Sequence, residues 1–429
     1  MKSSGYASYS DRVEEYASKL AKASLFLFLF FLFFGTTLPF QERIKNLEDV
    51  ATENPLKQIL FSSLYLVSFI SLLPKKSLAI EILKKEKYLG LFLLWLLFTV
   101  SWSDFPLVSL KRWLQTAGVT IIFVSAFLHF QSDNQPGNYV RAVLFAYIPL
   151  SLLSILLIPG AIQWEFPAWR GFAPHKNTLG QVSLLSLIIW SATVFNRGTG
   201  KKILSLVFVG LSLILLVGSR STTSILTCGI LFLLAGALYT DKTIVRPVVG
   251  PIFSPLLIII FFAPLVLLLS STMGSPDALF GLFGKDMTFT GRVDIWSSIL
   301  DEIKGHWIIG CGFQGFWMTN KPALAEIYYD LQWEIPHAHQ GYLDILNETG
   351  IVGLSIFFVM MLSYFKNLWA RGKSHPWSWV VLGVLILNLT ESTLFRSDDV
   401  SGALFLFAYL TLYADQTRAD PADPGAPTF

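Results

Sequence analysis

Apolar runs of about 20 residues recur along most of the chain, and short polar segments separate them. A helix needs about 20 mostly apolar residues to cross the hydrocarbon core of a bilayer. Only 14% of the residues are charged, against about 25% in a typical soluble domain. The pattern predicts an all-α polytopic membrane protein with about twelve transmembrane helices. The predicted spans are 24–40, 56–73, 88–102, 113–130, 139–158, 178–195, 203–217, 222–239, 252–270, 344–365, 377–390 and 401–414.

The distribution of Lys and Arg predicts the orientation of the chain. Short cytoplasmic loops of membrane proteins retain positive residues. If the N-terminus is cytoplasmic, well over half of the 32 Lys and Arg residues fall on the inner side. Both termini are then cytoplasmic, and most of the polar segments with possible chemistry lie outside. We therefore expect the functional surface on the external face.

Two segments differ from the spans in character. Residues 271–343 form one large external loop between helices 9 and 10, which we expect to contain short helices. Residues 415–429 end in the Pro-rich sequence DPADPGAPTF, which predicts a disordered cytoplasmic tail. We treat 1–429 as a single integral membrane domain. The net charge of only +3 indicates no nucleic-acid partner, and the nearly uncharged spans argue against a proton-coupled transporter.

The long loop contains one helical pattern, TGRVDIWSSILDEIK at 290–304. Ile295, Ile299 and Ile303 recur every four residues, which predicts one apolar helix face. Arg292 falls in the first turn, where a cation opposes the helix dipole. It is either a solvated surface residue or an anion ligand beside a helix N-terminus. The following GCGFQGFW at 310–317 matches no phosphate loop, and its aromatic residues predict a packed turn.

The segment PHAHQGYLD at 336–344 carries His337 and His339 just before a helix that we expect to start near Gly341. Alternate residues of an extended segment point the same way. Imidazole exchanges a proton near neutral pH, so that either histidine suits acid–base catalysis. A His-x-His pair also occurs at metal sites. No third ligand lies at a suitable spacing, and we expect neither a metal nor a cofactor.

Two other external segments carry positive residues beside a span. RGFAPHKNTLG at 170–180 precedes the sixth span, and GSRSTTS at 218–224 forms a short turn around Arg220. The Arg220 side chain either extends to the membrane surface or faces a cavity, where an arginine fork suits a phosphate. A third segment, with Glu391, Asp398 and Asp399, is interpreted as a solvated acidic turn.

The order of these motifs resembles the O-antigen ligase/polymerase superfamily of bacterial envelope polysaccharide enzymes, the Wzy and WaaL type. The motifs are Gly-Phe-x-x-His-Lys-Asn-x-Leu-Gly at 171–180, Ser-Arg-Ser at 219–221, Thr-Gly-Arg with Trp and a later Gly-x-Gly at 290–312, and His-Ala-His-x-Gly-Tyr-Leu-Asp with Gly-Ile-Val-Gly at 337–353. The stretch SWSDFPLVSLKR at 101–112 is most similar to the ExoQ-type exopolysaccharide polymerases. Two features depart from that branch: Gln340 stands where it usually has Asn, and KGHW at 304–307 replaces its usual Pro-containing turn.

The resemblance implies a metal-independent, inverting glycosyltransferase of the bacterial inner membrane, with its active face in the periplasm. Its donor would be an undecaprenyl-diphosphate-linked oligosaccharide among the membrane lipids, and its acceptor a glycan or the lipid A core. His339 matches the family's catalytic histidine, with His337 as the runner-up. Arg220 and Arg292 would stabilise the leaving diphosphate. The residues expected to bind substrate are Arg170, His175, Lys176, Asn177 and His337.

Three other functions remain open at this point. An O-antigen ligase would transfer finished glycan to lipid A core, whereas a polymerase would join repeat units. A lipid-linked oligosaccharide flippase predicts an internal repeat and a polar central cavity, and the sequence indicates neither. A non-catalytic scaffold of an export complex would not depend on Arg292 or His339. We expect polymerisation of surface or exopolysaccharide repeat units as the primary activity.

Overall fold

The computed structural model describes residues 9–36, 55–130, 134–163, 167–196, 199–240, 292–317, 324, 337–371 and 375–419. Within these ranges the chain is helical apart from short connections and one two-stranded antiparallel sheet. The α-helices are α1 (Tyr9–Phe34), α2 (Pro55–Leu72), α3 (Lys76–Lys85), α4 (Lys87–Thr99), α5 (Pro106–His129), α6 (Asn134–Leu157), α7 (Lys176–Asn196), α8 (Thr199–Gly218), α9 (Thr222–Thr240), α10 (Arg292–Ile303), α11 (Gly341–Ala370), α12 (Ser378–Leu387) and α13 (Val400–Ala419). Strands β1 (Ile162–Gln163) and β2 (Ala168–Trp169) form the sheet.

The apolar helices confirm the polytopic all-α architecture. In the described part of the chain, seven helical segments are long and apolar enough to cross a membrane, and four shorter apolar helices accompany them. Each of them overlaps one of the predicted spans, and the predicted span 252–270 lies outside the described residues. The first helix begins at Tyr9 and ends at Phe34, so the prediction of 24–40 was wrong at both ends. The last helix reaches Ala419, so residues 415–419 of the expected disordered tail are helical.

Close contacts between small and aromatic side chains join the helices. Ser71 of α2 and Ser125 of α5 share a hydrogen bond of 2.7 Å, and Ser186 of α7 and Ser212 of α8 share one of 2.8 Å. Such interhelical bonds contribute on average about 0.6 kcal/mol each in a membrane protein. These hydrogen bonds therefore mainly set the register of neighbouring helices. Buried aromatic side chains fill the space between the helices.

The ends of the helices lie in two groups, as expected if successive helices cross a membrane in opposite directions. Lys75, after α2, donates to the Leu128 carbonyl near the end of α5, and Arg371, after α11, donates to Leu412 near the end of α13. The opposite ends of α5, α11 and α13 meet around residues 388–399, where the candidate site lies. Which of these two ends faces the periplasm stays a prediction.

Helix α11 is broken at Gly350, whose φ of 67° lies outside the helical region. The residues after α10 fill the break: the Ile351 amide donates to the Trp307 carbonyl, and the Cys311 amide donates to the Asn347 carbonyl. The backbone groups that the break leaves unpaired are thus satisfied by another segment. A long-loop segment is thereby fastened to the first, polar part of α11.

Helix α12 has only 10 residues, about 15 Å of length, half of a bilayer's hydrocarbon core. Residues 388–399 continue as irregular chain that descends between the helices. The Phe395 ring lies 4.6 Å from that of Phe92, and its carbonyl accepts a hydrogen bond from Thr116 in the middle of α5. Irregular backbone at such depth is tolerated where protein surrounds it. This segment brings polar groups of the 388–399 turn beneath the start of α11.

Candidate active site

The His-Ala-His segment forms a tight turn immediately before α11. The ring centroids of His337 and His339 lie 4.1 Å apart, and the His339 amide donates to Nδ1 of His337. His339 has a φ of 53°, in the left-handed region. Gln340 then caps α11 by accepting from the Leu343 amide. The helix begins at Gly341 as the sequence predicts, and the turn presents both imidazoles at its entrance.

Gly341 is required by the close approach of residues 388–391. An ideal Cβ at this position would lie 2.2 Å from Oδ1 of Asn388. The Gly341 amide donates to the carbonyls of Asn388 and Glu391, at 2.9 and 2.8 Å. The absence of a side chain therefore allows the 388–391 backbone to lie against the start of α11, directly beside the two histidines.

The carboxylate of Glu391 lies beside the His339 ring. Its Oε2 lies 3.9 Å from Nδ1 of His339, and the residue is only 5% exposed. The interpretation of this acidic turn as solvated was therefore wrong for Glu391. A carboxylate on the Nδ1 side of an imidazole orients the ring and stabilises its protonated form. Such a histidine is suited to accept a proton.

The start of α7 holds Glu391 from the other side. The Asn177 amide group donates to Oε1 of Glu391 at 3.3 Å. His175 precedes α7, and its Nδ1 accepts the Asn177 backbone N–H at 3.2 Å. Desolvation lowers the pKa of His175, although part of the ring is exposed. The charge of the neighbouring Lys176 lowers this pKa further, and the charge of Glu391 raises it. The neutral ring is the form that can accept this capping hydrogen bond.

The turn that carries Arg220 packs against α7. An ideal Cβ on Gly180 would lie 2.6 Å from Cβ of Ser221, so the turn is pressed against that helix. Thr223, at the start of α9, shares a hydrogen bond of 3.0 Å with Thr390. Arg220 itself has a φ of 50° and is exposed. Its guanidinium makes no hydrogen bond or ion pair within the part of the chain that the structure describes, so that no carboxylate there neutralises it.

The other two predicted arginines are Arg170, whose side chain is hydrogen-bonded, and Arg292, of which only the backbone is described. Arg170 donates from Nε to the Gly160 carbonyl and from a terminal nitrogen to the Pro174 carbonyl, which fastens the connection between α6 and α7. Arg292 begins α10, but its side chain lies outside the described residues. Trp296, one turn later, donates to the Ala338 carbonyl at 2.9 Å. Position 292 therefore lies one helical turn from a direct contact with the His-Ala-His turn.

Comparison with known proteins finds one family that matches part of the chain. Residues 206–358 match the family described as O-Antigen ligase. The segment contains Arg220, Arg292, His337 and His339. This match supports the O-antigen ligase/polymerase superfamily as the one that the chain resembles.

The chain is also similar to two proteins whose names state a function. It is 30% identical to "Exopolysaccharide production protein ExoQ" of Rhizobium meliloti over 118 residues, which are 26% of this chain and 27% of that protein. It is 25% identical to "Putative polysaccharide ligase" of Rickettsia felis over 291 residues, which are 65% of this chain and 67% of that protein. The match thus spans about a quarter of the first relative and two thirds of the second.

The fold of this chain assembles four separate segments into one site. The contacts from Ser221 to Gly180, from Thr223 to Thr390, and from Asn177 through Glu391 to His339 connect them without a gap. The predicted residues Arg220, His175, Lys176, Asn177, His337 and His339 all belong to these segments. Their roles in binding and catalysis stay predictions.

Three polar residues of the site were not predicted: Glu391, Asp344 and Arg396. Arg396 donates to Asp344 at 3.1 Å and to Glu348 at 3.5 Å. The side chains of Arg396, Asp344 and Glu348 are all largely buried. Asp398 is instead exposed and lies 3.7 Å from Arg112, and Asp399 accepts the amides of Ser401 and Gly402 at the start of α13. The one signal in the sequence was an arginine directly after the apolar pair Leu394 and Phe395.

Proposed function

We propose that this protein is a membrane glycosyltransferase that transfers a glycan from a lipid diphosphate to an acceptor hydroxyl. The observation that carries the proposal is the placement of a buried carboxylate, Glu391, 3.9 Å from the His339 ring, in the same cluster as the exposed Arg220. The family match and the names of both relatives support a role in joining polysaccharide chains. We further propose undecaprenyl diphosphate as the donor's carrier and the periplasmic face of the inner membrane as the place of reaction.

The reaction forms one bond and breaks one. The acceptor oxygen attacks the anomeric carbon of the donor from the face opposite the diphosphate, and the bond between that carbon and the phosphate oxygen breaks, with inversion. His339 takes the acceptor's proton on Nε2, since Glu391 lies on the Nδ1 side. Loss of a general base costs about 10²–10⁴-fold in rate. Glu391 stabilises the imidazolium that forms.

The leaving diphosphate gains negative charge as its bond to the sugar breaks. Arginine forks placed in advance stabilise such charge without the cost of reorganising water. Arg220 supplies this group in our proposal, and Arg292 supplies a second one from the start of α10. Two arginines serve here in place of a divalent cation, and we propose that the reaction needs no metal. Lys176 and Asn177 bind the acceptor or a phosphate oxygen.

Polymerisation of repeat units is the activity that we favour, because the similarity to the exopolysaccharide production protein has the higher identity. Transfer of finished glycan to a lipid A core is the second candidate, because the longer match is to a protein named as a ligase. Both share the donor chemistry described above and differ in the acceptor. Repeat units would enter as acceptors at the same site in the first case, and a lipid-anchored core sugar in the second.

Purified protein and a lipid-linked oligosaccharide, with no other acceptor, test the proposal. A polymerase lengthens the lipid-linked product in steps of one repeat unit, and a ligase forms product only after a lipid A core acceptor is added. A sample without protein and one with Arg220→Lys serve as controls. Movement of the lipid-linked donor across vesicle membranes, without new glycosidic bonds under either condition, would contradict the proposal and favour the flippase.

A further inference from the structure

The middle residue of the His-Ala-His turn is held on both sides by side chains. The Ala338 carbonyl accepts from Nε1 of Trp296, in α10, at 2.9 Å. The Ala338 amide donates to the carboxylate of Asp344, in the first turn of α11, at 3.2 and 3.3 Å to its two oxygens. Ala338 is fully buried. Both backbone polar groups between the two histidines are thus fixed by elements outside the turn.

Asp344 is the centre of this arrangement. Besides the Ala338 amide, its carboxylate accepts from Nε1 of Trp317 at 3.0 Å and from Arg396 at 3.1 Å. An ionised carboxylate can accept all of these bonds, whereas a protonated one must use one oxygen as a donor. A buried carboxylate stays ionised only with a partner, and Arg396 provides that charge. Arg396 therefore acts on the turn through Asp344.

The turn needs such support because of its backbone. A residue other than glycine in the left-handed region, as His339 is, is strained and keeps that conformation only where its surroundings impose it. Misplacement of a catalytic group by about 1 Å can cost about a hundredfold in rate. A turn that relaxed would move the His339 ring away from Glu391, which lies at the limit of contact already.

We propose that Asp344, paired with Arg396, is a positioning residue that fixes the His337–Ala338–His339 turn and so places the His339 ring for catalysis. This proposal rests on the function proposed above, in which His339 is the base. Asp344 and Arg396 touch neither donor nor acceptor. Their effect on the rate passes through the geometry of the turn and depends on the presence of His339.

Three variants test the proposal. Asp344→Asn keeps the shape of the side chain but replaces an acceptor facing Arg396 by a donor. Trp296→Phe removes the bond to the Ala338 carbonyl. Trp113→Phe is the matched control, because its Nε1 likewise donates to one backbone carbonyl, that of Leu93, at 2.7 Å. Removal of Arg396 itself would leave buried carboxylates without their partner and destabilise the fold, and that variant is unsuitable.

The first measurement is hydrogen–deuterium exchange of the full-length protein in detergent, which does not depend on activity. Asp344→Asn and Trp296→Phe should raise the exchange of the peptide that contains residues 337–340. The peptide around Cys311, whose amide bonds to the Asn347 carbonyl, should not change. Trp113→Phe should alter neither peptide. Unchanged exchange at 337–340 in Asp344→Asn would overturn the proposal even if activity fell.

The second measurement is the rate of glycan transfer in two backgrounds. In the wild-type background, Asp344→Asn should lower kcat by about tenfold to hundredfold with the donor KM within about twofold, and Trp113→Phe should not lower it. In the His339→Ala background, Asp344→Asn should cost no more than twofold. An equal loss in both backgrounds would show a general structural role and refute positioning. If His339→Ala is itself fully active, the proposed function fails. The hydrogen–deuterium exchange result would still show whether Asp344 fixes the conformation of the turn.

Discussion

Asn177 and His339 lie on opposite sides of the same carboxylate: the Asn177 amide group donates to Oε1 of Glu391 at 3.3 Å, and Nδ1 of His339 lies 3.9 Å from Oε2. The two residues are separated by more than 150 positions in the chain and come from the beginnings of α7 and α11. A single buried acid thus connects the two motifs, and several consequences can be measured.

The first prediction concerns this acid. Glu391→Gln keeps the size and the hydrogen-bonding capacity of the side chain but removes the charge that stabilises protonated His339. We expect kcat to fall by about tenfold or more, with less effect than loss of the base itself, for which about 10²–10⁴-fold is typical. Steady-state rates with lipid-linked donor measure it. Glu81→Gln, which affects an exposed ion pair with Lys85 on α3, is the matched control, and equal rates in both variants would remove Glu391 from the mechanism.

Arg220 is the subject of the second prediction. Because its guanidinium is exposed and makes no hydrogen bond or ion pair within the described part of the chain, Arg220→Lys should leave the melting temperature unchanged. The lysine keeps the charge but loses the bidentate fork that suits a diphosphate, so the rate should fall by about tenfold or more. Arg12→Lys, an exposed arginine of α1, is the control. A fully active Arg220→Lys protein would mean that the diphosphate is bound elsewhere.

A third prediction follows from His175. Its folded-state pKa is lowered, first by desolvation and then by Lys176, so the neutral ring is favoured by folding. The resulting stability is fully present above the unfolded pKa, about 6.5, and is lost as the pH falls through the lowered folded value. The melting temperature should therefore decrease on acidification. His175→Asn, which retains a good helix cap, should reduce that decrease, and an identical pH profile in both proteins would exclude this role.

Much of the architecture was predictable because a bilayer imposes a length on each apolar run. The break in α11 was not, since Thr-Gly-Ile-Val-Gly at 349–353 reads as ordinary helix. It exists because the carbonyls of Trp307 and Ile308 replace the lost helical partners, a contact between segments far apart in sequence. The same limit applies to the short helix α12, whose apolar run gave no sign that residues 388–399 would turn inward.

The histidines of the candidate site and the segments that carry them could be singled out from the sequence, because each belongs to a short local motif. Glu391 was missed because an acidic turn is usually solvated, and only the approach of Asn388 to Gly341 buries it. Asp344 and Arg396 were missed for a similar reason. Their partnership is a contact across 52 positions, which neither periodicity nor spacing reveals.

The orientation of the chain gives the fourth prediction. Single cysteines at Lys84, in α3, and at Lys304, after α10, should react with an impermeant reagent from opposite sides of the membrane, because positive residues are retained on the cytoplasmic side. The background would replace both native cysteines, Cys228 and Cys311, which form no disulfide. Reaction of both positions from the same side would contradict the topology and the periplasmic placement of the site.

The most direct test of the account compares His339→Ala with the wild-type protein in transfer of glycan from a lipid-linked donor, while binding of the donor is measured separately. We expect the rate to fall by about 10²–10⁴-fold, donor affinity to remain because the arginines hold the diphosphate, and a chelator to leave the wild-type rate unchanged. His337→Ala should cost less. A His339→Ala protein with the wild-type rate would contradict the central claim that this histidine is the base.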